Sequence, residues 1–350
     1  LLAAVVSTIL SVRAGLEYPA LGQLMSCNSQ VVRFFATTVF LLAVGVMPLG
    51  AAEPETPNFR RPATDDDLRY WLENMLVQHR FSAAEITAAT GLSETEIAAA
   101  LGKFNLRREQ RPSLPQDGVL QVWPYPGGRH PRIGFLDGAV CPQRETKVSV
   151  FLPWDERAYV VVDVPEAIWS NLGLTYLAHT HVPTVWTRQN VELPPLEWDR
   201  RTDGSLQLER KLPNGLVYAA KVVPGRDAVR MELTLTNNTA QKLTDLRVQN
   251  CVMLKGAPGF DQQTNENKVF CKPYCACRNA DGDRWIITAW QPCHRPWGNA
   301  PCPCLHSDPK FPDCAPGETQ RLRGWLSFYE GKDIEAEFRR IEATGWHSAR

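Results

Sequence analysis

The sequence predicts a mainly β protein, a large antiparallel β-sandwich (supersandwich-like) preceded by a small helical module. Three observations predict it. From Gly204 to Leu254, consecutive segments alternate apolar and polar residues between turns of differing chemistry. After Arg132, about a dozen such segments follow one another with no amphipathic helix between them. Helical spacing is confined to Thr64 to Leu106 and to one closing stretch, Asp333 to Thr344. The alternation is strictest where Val229, Met231, Leu233 and Leu235 interleave with Arg230, Glu232, Thr234 and Thr236. Pro213-Asn214-Gly215 supplies the positive φ angles of a tight hairpin just before it. A sheet wet on one face and apolar on the other needs a second sheet to cover it.

Residues 1–52 read as targeting sequence. Arg33 precedes an apolar run from Phe34 to Met47, a Pro-Leu-Gly break and small residues Gly50 and Ala52. The run is shorter than the roughly 20 residues a spanning helix needs, so a cleaved signal peptide and an exported (periplasmic or extracellular) chain are expected, with no stable membrane span in the mature protein. Residues 1–24 precede the first methionine, Met25, and read as an upstream extension. The net charge of zero removes the field that a nucleic-acid binder would use, and no nucleic-acid partner is expected.

The helical module, 64–106, holds two capping boxes, Ser82 with Glu85 and Ser93 with Glu96, each opening a short helix. Two capped helices across Gly91-Leu92-Ser93 resemble a helix-turn-helix. Glu94 and Glu96 occupy the turn that would meet phosphates, and the second helix has no basic residue before Lys103, so the expected role is packing on the sandwich or docking a protein partner. A Pro/Gly-rich linker, 107–130, leads to the sandwich at 131–330, and a C-terminal helix occupies 331–346.

The run from Met231 to Leu254, MELTLTNNTAQKLTDLRVQNCVML, resembles the central sheet of the galactose-mutarotase-like supersandwich. That architecture occurs in aldose epimerases and in domains of polysaccharide-acting enzymes. The resemblance spans the sandwich and implies a carbohydrate ligand. Mutarotases use a His general acid and a Glu base, but no local motif carries either role to a position in this chain.

Candidate chemistry lies in four places. In His179-Thr180-His181 a continued strand would put both imidazoles on one face, as a metal or acid/base pair; a loop ended by Pro183 is the alternative. Trp290 to Glu318 reads as a long Pro-rich loop. There Trp297, with Trp186 and Trp290, would stack on a pyranose while Arg295, His306 and Asp308 bond its hydroxyls. Gly127 to Gly138 adds Arg129, Arg132 and Asp137, and Lys255 to Lys268 adds Lys255 and Asn265. If the protein is catalytic, His181 or His306 is the general acid and Asp308 or Asp137 the base. No cofactor and no metal ligand is assigned.

Seven cysteines fall between Cys271 and Cys314. In an exported chain disulfides stapling loops are the default, and zinc is the rival through Cys275-x-Cys277 and Cys302-x-Cys304-x-His306. Setting aside Cys27, the odd count leaves a thiol over, at Cys251 or Cys141. The function expected is an exported carbohydrate-binding protein, with a non-catalytic cell-envelope structural or partner-binding protein and a cytoplasmic sugar-responsive regulator as alternatives.

Overall fold

The computed structural model describes residues 59–112, 118–133, 144–178 and 182–348, all within one compact unit, Thr56–Arg350. The targeting segment, Cys27, Asp137, Cys141, His179 and His181 lie outside the described residues.

Thr64 caps α1 (Asp65–Leu72), its hydroxyl accepting the Asp67 N–H, and three aspartates sit at the positive end of the helix dipole. The helix continues as a π-helix over Glu73–Gln78. Both capping boxes form, opening α2 (Ala83–Thr90) and α3 (Glu94–Phe104). Gly91, at φ 68°, stops α2 in the left-handed conformation that a side chain resists. Leu72, Met75, Phe81, Ile86 and Ile97 bury the shared inner face of the module.

The strands, in chain order, are β1 (Val122–Pro124), β2 (Lys147–Leu152), β3 (Asp155–Asp163), β4 (Ala167–Ser170), β5 (Gly173–Leu177), β6 (Asp199–Arg200), β7 (Leu206–Lys211), β8 (Leu216–Pro224), β9 (Val229–Asn237), β10 (Val248–Gln249) and β11 (Cys251–Met253). They continue with β12 (Lys268–Cys271), β13 (Tyr274–Arg278), β14 (Arg284–Gln291), β15 (Cys293–Gly298), β16 (Cys304–Pro309) and β17 (Thr319–Glu330). An eight-stranded sheet, β12-β13-β14-β17-β9-β8-β7-β6, faces a six-stranded sheet, β1-β2-β3-β11-β16-β15, and a three-stranded sheet, β10-β4-β5, stands beside them. The pairings between these strands are antiparallel, so the protein is a β-sandwich with a small helical segment before it.

Period-two alternation decides what each face carries. Val148, Val150, Val160, Val162, Val252 and Leu305 turn one face of the six-stranded sheet into the main core, against Tyr218, Leu233, Leu235 and Leu326 of the eight-stranded sheet. Their neighbours turn to the back of the six-stranded sheet. Phe151, Tyr159 and Met253 form an apolar patch there, continuous with Tyr125. The helical module covers this patch. Tyr70 stacks on Trp123, Asn74 donates to the Pro124 carbonyl at 2.9 Å, and His79 lies edge-on to Phe151 and Tyr159. At the opposite side of the molecule α4 (Ile334–Ala343) lies on the eight-stranded sheet, with Phe338 stacked on Tyr274 at 4.7 Å.

Three expectations are corrected. Trp290 to Glu318 is not a loop: most of it is the β15–β16 hairpin, because Cys304, His306 and Asp308 alternate with Leu305 and Ser307 across the sheet. Leu243 to Leu254 is not one strand but two short ones, β10 and β11, after an isolated bridge from Leu243 to Cys314. The eight described cysteines are all unpaired rather than joined by disulfides. Cys251, Cys275, Cys277, Cys293 and Cys304 project from strands, where sheet register and not loop closure sets their neighbours. Among the described residues no helix is long and apolar enough to cross a membrane.

Candidate functional site

Beyond the module, the back of the six-stranded sheet carries a buried polar centre. Strand register assembles it. Cys251 lies directly across from His306, Trp297 lies across from His306 on the other side, and Lys147 lies across from Asp163. Cys304, two residues before His306, falls on the same face. Glu166, in the turn between β3 and β4, completes the group.

The His306 ring is fixed on several sides. Its Nε2 is 3.1 Å from Cys304 Sγ, and its Nδ1 is 3.6 Å from Asp308 and 3.9 Å from Glu166. Trp297 stacks on it at 4.1 Å and 15°, and the Arg295 guanidinium lies 4.6 Å from the Trp297 ring. Asp308 receives the Asn250 N–H, the Trp297 indole N–H and Arg295. Arg132 reaches Glu166 at 2.5 Å and Asp163 at 3.6 Å, and Gln249 donates to Glu166 at 2.8 Å. Lys147 Nζ is 3.1 Å from Asp163 and donates to the Ala178 carbonyl. Lys147 thus lies within ion-pair distance of Asp163, yet neither Asp163 oxygen makes a hydrogen bond.

Burial and mutual charge shape the ionisation of this group. Burial raises Asp163 to about 7 against the pull of Lys147. Burial also opposes the Cys251 thiolate, yet the Cys304 hydrogen bond, the His306 ring and Arg132 bring that thiol down to about 5. Burial opposes the His306 cation as well, and Cys251, Asp308 and Glu166 outweigh it and hold the ring well above its usual range. Hydrogen bonds from Cys251 and Cys302, with burial, push Cys304 well up. Cys251, Cys304 and His306 each present a donor atom within 4.8 Å of the others, and Asp163, Glu166 and Cys251 do the same.

Of the residues singled out from sequence, Arg132, Arg295, Trp297, His306 and Asp308 meet in this centre. The other described ones are dispersed. Arg129 binds Glu85 and Tyr159 where the module meets the sandwich. Trp186 is buried and donates to the Thr175 carbonyl. Asn265 donates to the Gly298 carbonyl, and Lys255 is exposed. Lys147, Asp163 and Glu166 were not anticipated, and Cys251 was read only as a left-over thiol. The signal was available as a lysine and an aspartate at the ends of the apolar strands KVSVFL and AYVVVD.

Two surface clefts of about 360 Å³ accompany this buried centre. One lies on the open face of β7, β8 and β9 and is lined by charged side chains such as Arg201, Glu209, Lys221 and Glu232. The other is aromatic. It sits at one end of the sandwich, where the β2–β3 turn, the loop after β11 and the β13–β14 turn converge. Half-buried Trp154 stacks on Phe260 at 6.1 Å and meets the edge of Phe328, and the Arg284 guanidinium lies 5.1 Å from the Trp154 ring. Asp155, Asn279 and Asp281 surround this apolar surface.

No protein-family model matches this chain, and no curated protein matches it. Among solved structures it is similar to the Slr1438 protein from Synechocystis sp. PCC 6803, at 13% identity and a TM-score of 0.33 over 53% of this chain and 88% of the other. It is also similar to a kojibiose phosphorylase from the human microbiome, at 7% identity and a TM-score of 0.33 over 65% of this chain and 28% of that one. At these TM-scores neither likeness carries an argument about function.

Proposed function

We propose that this chain is an exported carbohydrate-binding β-sandwich protein whose ligand lies in the Trp154–Phe260 cleft. The cleft itself carries the reading. Apolar faces of a pyranose match a half-buried indole, while Asp155, Asn279, Asp281 and Arg284 surround it with groups that bond hydroxyls. Such a surface combines a large aromatic contact with a few orienting polar groups. Binding, rather than turnover, is proposed. His306 and Asp308 lie 3.6 Å apart but both are buried, and Trp297 covers the imidazole, so a sugar ring at the surface does not reach them.

A thermal-shift screen of the full chain against mono- and oligosaccharides tests this reading. One sugar class should raise the melting temperature, and Trp154→Ala should lower affinity for it about tenfold, or about 1.4 kcal/mol. Equal affinity in wild type and variant would remove the cleft from the account, and no shift with any sugar would favour a partner-binding envelope protein. The export half of the proposal is checked separately. It predicts a mature N-terminus near Glu53 in the extracytoplasmic fraction.

A further inference from the structure

We infer that the buried centre behind the six-stranded sheet is a structural metal site in which Cys251, Cys304 and His306 ligate a thiolate-seeking divalent ion of the zinc class. The inference does not rest on the carbohydrate reading. Its first support is register: Cys251 and His306 are cross-strand partners on β11 and β16, and Cys304 precedes His306 by one pleat repeat on the same face. Two regular strands therefore converge three donor atoms to within 4.8 Å without help from a loop. The second support is the donor chemistry. Two thiols and an imidazole select zinc-like ions over calcium or magnesium, which require oxygen donors.

The surroundings are those of a ligating histidine. Nε2 faces the Cys304 sulfur, and Nδ1 lies on the side of the Asp308 and Glu166 carboxylates, which would receive its N–H once a metal held the ring. Nδ1 is buried and lacks a hydrogen bond, as do the amide O and N of neighbouring Asn250. Asp308 and Glu166 are themselves held, by Arg295, Trp297 and the Asn250 N–H in one case and by Arg132 and Gln249 in the other. Cys251, Cys304 and His306 are at most 2% exposed, the closed setting of a structural site rather than of a catalytic one. Binding displaces to solvent the protons that the ligands carry, and the metal then ties β11 to β16.

The full-length chain, reduced and freed of metal, would be titrated with Co²⁺ and with Zn²⁺. Cobalt should produce the thiolate charge-transfer band and intense visible bands of a tetrahedral sulfur site, saturating at about one ion per chain and displaced by zinc. Zinc should raise the melting temperature and EDTA should lower it again. Cys251→Ser and Cys304→Ser should each lose the cobalt band, whereas Cys314→Ser, at the Leu243 bridge, should keep it. Should the serine variants fail to fold, the wild-type titration decides alone. Folded, reduced wild type without the cobalt band would overturn the assignment. So would unaltered binding by both variants, or an isolated protein with a Cys251–Cys304 disulfide that takes up no metal after reduction.

Discussion

His79 shows how one side chain couples pH to the joint between module and sandwich. Its Nδ1–H donates to the Asn74 carbonyl at 3.1 Å, so Nε2 is the acceptor for the Ser149 hydroxyl at 2.7 Å. Burial disfavours the cation and lowers the pKa to about 3. Below the ordinary histidine value the unfolded chain takes up a proton that the native ring refuses, so stability falls as pH drops from about 6.5 toward 3. His79→Gln should flatten the dependence of unfolding free energy on pH in that window, measured by urea denaturation at several pH values. An unchanged slope would show that other groups control it. Residue-scale chemistry was legible where the partners are close in sequence. The capping pairs Ser82–Glu85 and Ser93–Glu96 are three residues apart and formed as read. Glu166 and His306 are 140 residues apart, and only the fold brings them together.

At the scale of elements, close packing within the eight-stranded sheet centres on Gly324. It pairs across from Trp290, and a Cβ there would stand 2.6 Å from the indole ring. Gly324→Ala should therefore destabilise the protein by about 1–3 kcal/mol, read from the midpoint of urea unfolding. A neutral effect would mean that β14 and β17 shift apart easily. Elements with strict alternation were the most legible: Val229–Asn237 is a strand with alternate residues buried, as its pattern requires. The β15–β16 hairpin was not legible, because prolines and cysteines masked a period that becomes visible only once Leu305 is known to face the core. Trp154 and Phe260 were missed for a related reason. They lie in separate turns, and their stacking follows from the convergence of those turns at one end of the sandwich.

At the scale of the whole molecule, Arg129 acts as the clasp between the module and the sheet. It pairs with Glu85 of α2, donates to the Tyr159 hydroxyl at 2.9 Å and lies over the Phe81 ring at 4.2 Å. Arg129→Met should speed amide hydrogen exchange across residues 65–104 while leaving β7, β8 and β9 protected. Uniform loss of protection would show instead that module and sandwich unfold as one. The unpaired cysteines bear on the export proposal, since an oxidising compartment drives exposed thiols toward disulfides. Seven of the eight described cysteines are buried, with Cys271 exposed, and a metal on Cys251 and Cys304 would shield that pair further. The carbohydrate proposal is tested most directly by isothermal titration of wild type and Trp154→Ala with the sugar that the thermal-shift screen selects. Saturable binding by wild type is expected, about tenfold weaker in Trp154→Ala and unchanged in Lys221→Ala, whose side chain lines the cleft on β7, β8 and β9. Binding that survives Trp154→Ala but is lost in Lys221→Ala would overturn the proposal, by moving the ligand from the aromatic cleft to the charged one.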